Sequence, residues 1–335
     1  MIVADSPTKP RLLAGQRPPL GAYDVDIIIL TLDRPSESID AIRSALTQKG
    51  VDFHVTVLDQ GSAPEMLRAI HKNFSRNENF SFYSASENLG VAGGRNIATS
   101  LGHGKIIIAL DNDAVFENNW LAQNAMNIFN QSPDLGALGF NILCLDGVNP
   151  DVSSWGYPVR LLPRFKHRFN TTTFVGAGHA IRRLTWDMVG GYDVEFFFTW
   201  EEYDFCLSAI FLNWRIRYDG SLTVIHKVSS QARIPWDSIR TTYFIRNRLL
   251  IARKWGASWL ELTPRMSAYL IESLLRGRFR VALNGLYGAF SVKILNQRKM
   301  SSAMRKYIYQ NETRHRGSWF NRFKTELFDS PRKDF

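Results

Sequence analysis

The feature that most restricts the fold is an alternation that runs from Val25 to Leu143: a short apolar strand, then a segment with helical spacing. "VDIIILTL" (Val25 to Leu32) precedes "ESIDAIRSALTQKG", "FHVTVLD" precedes "PEMLRAIHKNF", "FSFYSA" precedes "VAGGRNIATSL", "KIIIALDND" precedes "NWLAQNAMNIF", and "LGALGFNIL" closes the series. Strands this uniformly apolar have two faces to cover, which predicts an α/β protein: a Rossmann-like, mostly parallel sheet with helices on both sides. Such sheets bind ligands at the carboxyl ends of their strands. The polar residues there are Thr31 and Asp33, Asp59, Ser86 to Asn88, and Asp111 to Asp113.

From Cys144 the rhythm gives way to a stretch rich in Gly, Pro, aromatics and Arg, which predicts loops and short strands around a pocket. "WRIRYDGSLTVIHK" reads as two more strands, and the rest is Arg-rich and helical. Residues 1–24 carry short apolar pieces broken by Asp, Pro and Arg and read as a partly disordered tail rather than a signal peptide. The expected division is a tail at 1–24, a catalytic domain at 25–230 and a basic, mainly helical region at 231–335. The net charge of +10 belongs to that last region: residues 230–335 hold 21 Lys and Arg against 7 acids, and residues 1–229 hold 20 against 24. A basic segment interleaved with aromatics suits nucleic acid, anionic lipid or a phosphorylated substrate. No apolar run approaches the roughly 18 residues of a membrane span, and Cys144 and Cys206 match no CxxC spacing, as in a reducing compartment. A cytoplasmic location is expected, with peripheral attachment to a membrane left open.

Four stretches carry candidate chemistry. Asp111 and Asp113 follow a buried strand two positions apart; one of them is explained as a turn or cap residue, the pair better as metal or nucleotide ligands, because two adjacent carboxylates repel unless a cation offsets them. "SENLGVAGGRN" opens a helix with Gly90, Gly93 and Gly94, which either permit a tight turn or let backbone amides and Arg95 reach a phosphate. His226 ends "SLTVIHK" as a packed strand histidine or, with the two aspartates, as part of an oxygen-rich site for Mn²⁺ or a similar ion. In "WEEYDF" the stripe Trp200, Tyr203, Leu207, Ile210, Phe211 and Trp214 is the face a helix buries, with Asp204 beside it and Glu202 roughly 140° away on the 3.6-residue wheel. Asp204 reads as a packed or capping acid. Glu202 projects into whatever lies opposite, or is simply a first-turn acid facing the helix dipole.

Taken in order, these pieces resemble the inverting glycosyltransferases of family 2, whose fold is called GT-A. The matching motifs run from Ile27 to about Asn247: "IIILTLDR", "VLDQGS", "ENLGVAGGRN", "LDNDA", "GAGHAIRR", "GGYDVEFFFTWEEYDFCLSA", "WRIRYDGSLTVIHK" and "YFIRNR". The resemblance is strongest to bacterial members that transfer rhamnose, galactofuranose or similar sugars in cell-surface glycan synthesis. It implies that Thr31 and Asp59 hold the base and ribose end of a nucleotide, with Asn88, Gly94 and Arg95 near the ribose and diphosphate. "DND" corresponds to the family's DxD motif, so Asp111 contacts ribose and metal, and Asp113 coordinates a divalent ion, Mn or Mg, that His226 completes. "WEEYD" matches the acidic start of the catalytic helix, which makes Glu202 the expected base, Glu201 the second choice, and Trp200 with Glu201 the lining of the sugar pocket. The sequence departs from the pattern at Leu32-Asp33, where Tyr-Asn is usual, at Gln60, where a second acid is common, and at Glu202, where Asp is frequent.

The implied function is inverting, metal-dependent transfer from a UDP- or dTDP-sugar to a hydroxyl of a glycan or lipid-linked acceptor. The basic region would face an anionic membrane surface at the inner face of the cell membrane, with no nucleic acid expected. A sugar nucleotidyltransferase would need a Gly-rich basic triphosphate loop after the first strand, which "TLDRPSES" does not supply. A non-enzymatic nucleic-acid-binding module accounts for the basic tail but leaves Asp111, Asp113, His226 and "WEEYD" without a shared purpose.

Overall fold

The computed structural model describes residues 9–227, 238–294 and 297–317. One sheet organises the chain. Its strands are β1 (Arg11–Gly15), β2 (Val25–Thr31), β3 (Phe53–Asp59), β4 (Phe80–Ser84), β5 (Ile106–Asp111), β6 (Ala114–Phe116), β7 (Leu135–Leu143), β8 (Arg168–Thr171), β9 (Gly178–Arg182) and β10 (Arg215–His226). They lie in the order β1-β4-β3-β2-β5-β9-β7-β10-β6, with β8 beside β10. The neighbours β4, β3, β2 and β5 are mutually parallel, as the crossovers between them require. Beyond β5, β9 runs antiparallel to both β5 and β7, β10 runs parallel to β7, and β6 runs antiparallel along β10.

The helices before the sheet reverses are α1 (Pro35–Leu46), α2 (Pro64–Phe74), α3 (Gly90–Ser100) and α4 (Leu121–Gln131); α5 (Arg183–Val189) and α6 (Glu201–Phe211) follow β9. Strand alternation assigns the two covering layers. Ile27, Ile29, Ile106, Ile108 and Leu110 share a buried cluster with Ala41, Ile42, Met66, Ile70 and Ala125 from α1, α2 and α4. Ile28, Ile107 and Ala109 point the other way, into a cluster with Ala92, Ala98, Trp186 and Phe205 from α3, α5 and α6. Both faces are therefore buried, as the uninterrupted apolar strands demand.

The C-terminal helices are α7 (Ser238–Lys254), α8 (Trp259–Leu275), α9 (Phe279–Ser291) and α10 (Ser302–Asn311). Leu250 and Ile251 of α7, Trp255 just after it and Met304 of α10 belong to the same cluster as Phe205. Ile245 and Leu249 instead pack with Leu262, Tyr269, Ala282 and Ala289 of α8 and α9. α7 thus joins the sheet's helical layer to the α8–α9 pair, and residues 228–237, which hold the expected boundary at 230, lie outside the described residues.

Three local expectations differ. Part of the expected tail is β1, which pairs antiparallel with β4 and covers an otherwise open sheet edge. The two strands expected from "WRIRYDGSLTVIHK" are one strand, β10, whose register shifts between Asp219 and Thr223 so that Gly220 and Ser221 form a bulge rather than a turn. The helix expected from "NWLAQNAMNIF" begins at Leu121, two residues later than that segment, and Ala114–Phe116 before it is used as β6. Among the described residues no helix is long and apolar enough to cross a membrane.

Candidate active site

At the carboxyl ends of the central strands, Thr31 and Asp59 stand opposite each other in register. The Thr31 hydroxyl donates to Asp59 Oδ1 at 3.2 Å, and the amides of Gly61 and Ser62 donate to Asp59 Oδ2 at 3.0 and 3.1 Å. Both residues are buried, so Asp59 spends its carboxylate on shaping the turn into α2. That turn is tied to the preceding one: the Asp33 amide donates to Ser62 Oγ, and Ala63 N donates to Asp33 Oδ1. Asp33 and Arg34 are both in the left-handed region, at φ 55° and 57°, an uncommon pairing for residues with side chains. The kink sends the Arg34 guanidinium to Asp113 Oδ2, 2.6 Å away.

Asp111 ends β5, and the chain turns through Asn112 and Asp113 into β6. Because β6 pairs with the end of β10, with Ala114 opposite His226, the imidazole is carried to the aspartates. One ligand atom each from Asp111, Asp113 and His226 lies within 4.8 Å of the others. His226 Nε2 is 3.9 Å from Asp113 Oδ1, while Nδ1 is 2.6 Å from Asp151 Oδ2. A proton on Nδ1, donated to Asp151, leaves the Nε2 lone pair facing the aspartates, as in a metal-ligating histidine whose other ring nitrogen is held by a carboxylate. Asp151 is itself fixed by Ser153 and Ser154, whose hydroxyls donate to its two oxygens at 2.5 and 2.8 Å. Burial pushes the Asp111 carboxyl up, Arg95 opposes this, and the charge of Asp113 adds to it. Two carboxylates and one imidazole, with an acidic excess that a cation would offset, fit a divalent ion such as Mn²⁺ or Mg²⁺.

Arg95 is placed differently from the phosphate clamp expected of it. It is 3% exposed and turned inward from α3, where it donates to Asp111 Oδ1 at 3.0 Å, Glu202 Oε1 at 3.2 Å and the Gly176 carbonyl at 2.7 Å. Its role here is to hold the acid of β5 and the acid of α6 at a common distance. A Cβ on Gly176 would stand 2.5 Å from Glu202 Oε1, so this position has to be glycine for the arrangement to close. Gly94 also faces inward: a Cβ there would meet Gln60 Oε1 at 2.8 Å. Gln60 uses that oxygen to accept from Leu89 N. Gly90, at φ 69°, lies against the Phe197 carbonyl, and the exposed Asn88 accepts from Gly90 N at 2.9 Å. Packing between α3 and its neighbours therefore accounts for Gly90, Gly94 and Arg95.

The acidic start of α6 separates into three environments. Asp204 is buried and paired with Lys254 at 2.7 Å, as its place beside the apolar stripe predicts. The Glu202 side chain is 15% exposed and faces Arg95. Glu201 is fully enclosed; burial first, and the neighbouring Glu202 charge second, push its carboxyl well above the usual range. Among the described residues Glu201 Oε2 and Trp200 Nε1 are both buried with no hydrogen-bond partner, two polar atoms at the same helix start that a ligand's hydroxyls would satisfy. Sequence reasoning missed Arg34 and Asp151. Neither carries a local signal beyond an Arg before Pro and an Asp before two serines.

Residues 26–187 match the family model "Glycosyl transferase family 2". The matched stretch runs from β2 into α5 and is just under half of the chain. A related but uncharacterised protein of Haemophilus influenzae is 27% identical over 164 residues, 47% of this chain and 86% of that one. Among solved structures, the chain resembles a mannosyltransferase of Pyrobaculum calidifontis in complex with GDP-Man and Mn²⁺: TM-score 0.56, 15% identity, 93% of this chain and 86% of that chain. It also resembles GalNAc-T7 with UDP, GalNAc and Mn²⁺: TM-score 0.59, 14% identity, 81% of this chain and 57% of that chain. The likeness establishes the GT-A fold. The chain is a glycosyltransferase.

Proposed function

We propose that this glycosyltransferase catalyses inverting transfer from a nucleotide-diphosphate sugar to an acceptor hydroxyl, with Glu202 as the base. The observation that carries the reading is Arg95, which ties the carboxylate of Glu202 to the Asp111–Asp113–His226 group. The group that would hold a metal-bound diphosphate and the group that would take a proton are thereby joined by one guanidinium. Glu202 accepts the acceptor's hydroxyl proton while the oxygen bonds to the anomeric carbon; the bond from that carbon to the diphosphate oxygen breaks, and the electron pair leaves with the diphosphate. A bound divalent ion would supply Lewis-acid stabilisation of that leaving group. Glu201, whose carboxyl burial pushes well above the usual range, is less suited to the base role and better suited to bond a sugar hydroxyl, alongside Trp200 Nε1. Thr31 and the β2–α1 and β3–α2 turns would then face the nucleoside.

A screen of UDP-, dTDP- and GDP-sugars by thermal shift tests the donor class. A bound donor at a hundredfold excess over its Kd adds about 2.7 kcal/mol of stability. The expected result is a shift for UDP- or dTDP-sugars that requires Mn²⁺; no shift with any donor would oppose the reading.

The acceptor is proposed to be a glycan or lipid-linked glycan of cell-surface polysaccharide synthesis, met at an anionic membrane. Its support is the tip of the α8–α9 pair, where Arg276, Arg278 and Arg280 are exposed beside Leu274, Leu275 and Phe279. Flotation with anionic vesicles and not with neutral ones is expected, and flotation independent of lipid charge would contradict it.

A further inference from the structure

Four consecutive backbone carbonyls lead into α6, and their partners come from distant parts of the chain. Phe197 O accepts from Val91 N of α3 at 2.7 Å. The other three converge on one side chain: Asn247 Nδ2 donates to Phe198 O and Thr199 O at 2.9 Å each and lies 3.3 Å from Phe196 O. Asn247 is on α7, 0% exposed, in the "YFIRNR" motif to which the sequence assigned no task. Its amide orientation is set by its own surroundings, because Oδ1 accepts from Arg246 Nη1 at 2.7 Å and Arg246 also donates to the Glu195 carbonyl.

The segment so held is unusual. Thr199 and Trp200 are consecutive left-handed residues, at φ 65° and 74°, and one of them is β-branched. Such conformations persist only where surrounding contacts over-determine them. Here they turn the chain sharply into α6, at whose start Glu202 points at Arg95 and Gly176. Lys254, two turns further along α7, donates to Asp193 and Asp204 at 2.7 Å each and so brackets the segment on both sides.

We infer that Asn247 is a positioning residue for the reaction: its buried amide fixes the backbone turn that aims Glu202. The inference rests on the reading of Glu202 as base. It gives the motif after the sheet a task, and it makes α7 part of the catalytic apparatus rather than an appended helix. An aspartate of the same shape cannot donate and would set a negative charge against three carbonyl oxygens, whereas glutamine keeps the donor but displaces it.

The test compares Asn247→Asp, Asn247→Ala and Asn247→Gln with Glu202→Gln, measuring kcat and KM for the donor, and the Kd of the free nucleotide with Mn²⁺. A misplacement near 1 Å costs on the order of 100-fold in rate, so kcat of Asn247→Asp should fall by about that factor. Asn247→Ala should fall less, Asn247→Gln least, and nucleotide Kd should stay within about threefold for all, since that binding does not use the turn. Should Asn247→Asp fail to fold, Asn247→Ala removes the donor without adding charge and carries the same reading. A folded variant with wild-type kcat, or a loss of kcat matched by equal loss of nucleotide affinity, would overturn the inference. Normal turnover in Glu202→Gln would instead overturn the base assignment, so the two failures are told apart.

Discussion

Glu202→Gln is expected to lower transfer by about 1,000-fold or more, within the range that general-base catalysis contributes, while leaving nucleotide affinity within about threefold of wild type. The amide has the shape of the carboxylate but cannot take the acceptor's proton. Arg95 keeps Asp111 and the Gly176 carbonyl as partners, so the surrounding geometry survives the change. Glu201→Gln is the matched comparison. Burial and the neighbouring Glu202 charge push the Glu201 carboxyl well above its usual range and so favour its neutral form, which an amide resembles in shape. Its loss should be at least tenfold smaller than that of Glu202→Gln, in the measure by which base and hydrogen-bonding roles differ. Equal losses in the two variants would mean that the acids share the role.

Asp113→Ala should remove the part of nucleotide affinity that depends on Mn²⁺. The Asp113 side chain is 16% exposed, and its loss leaves His226 and Asp111 to hold the ion with one ligand fewer. Asp151→Asn should act in the same direction but more gently, about 10- to 100-fold in Mn²⁺ affinity, because Asp151 orients the His226 ring without itself binding the metal. Calorimetric titration of Mn²⁺ into each variant, with nucleotide present, gives both numbers. Unchanged Mn²⁺ affinity in Asp113→Ala would remove the aspartate from the metal site.

Much of this site was legible in the sequence because its parts terminate strands. Asp111 and Asp113 could be placed at a sheet edge from "IIIALDNDA" alone, and the helix wheel separated Asp204 from Glu202 before Lys254 was known to pair with it. His226 was different. Its neighbourhood depends on β6 pairing antiparallel with β10, a contact between residues more than a hundred apart that no local period reveals. Asp151 and Asn247 were invisible for a related reason: one serves a histidine and the other serves backbone carbonyls, so neither needs a neighbour in sequence that advertises it. Arg95 was seen but misaimed. A glycine-rich helix start suggests an open anion site, and only the packing of Gly90 against Phe197 and Gly94 against Gln60 turns the arginine inward. The bulged β10 was read as two strands because "DGS" has the composition of a turn, while its flanking residues stay paired to β7 on both sides.

The most direct test of the account is one titration series: the donor's free nucleotide into wild type, Glu202→Gln and Asp113→Ala, each with and without Mn²⁺, beside the transfer rate of the same preparations. The account predicts a separation, with Glu202→Gln binding nucleotide in a Mn²⁺-dependent manner and failing to transfer, and Asp113→Ala losing the Mn²⁺ dependence itself. Transfer at near wild-type rate by Glu202→Gln, or Mn²⁺-dependent binding preserved in Asp113→Ala, would contradict it.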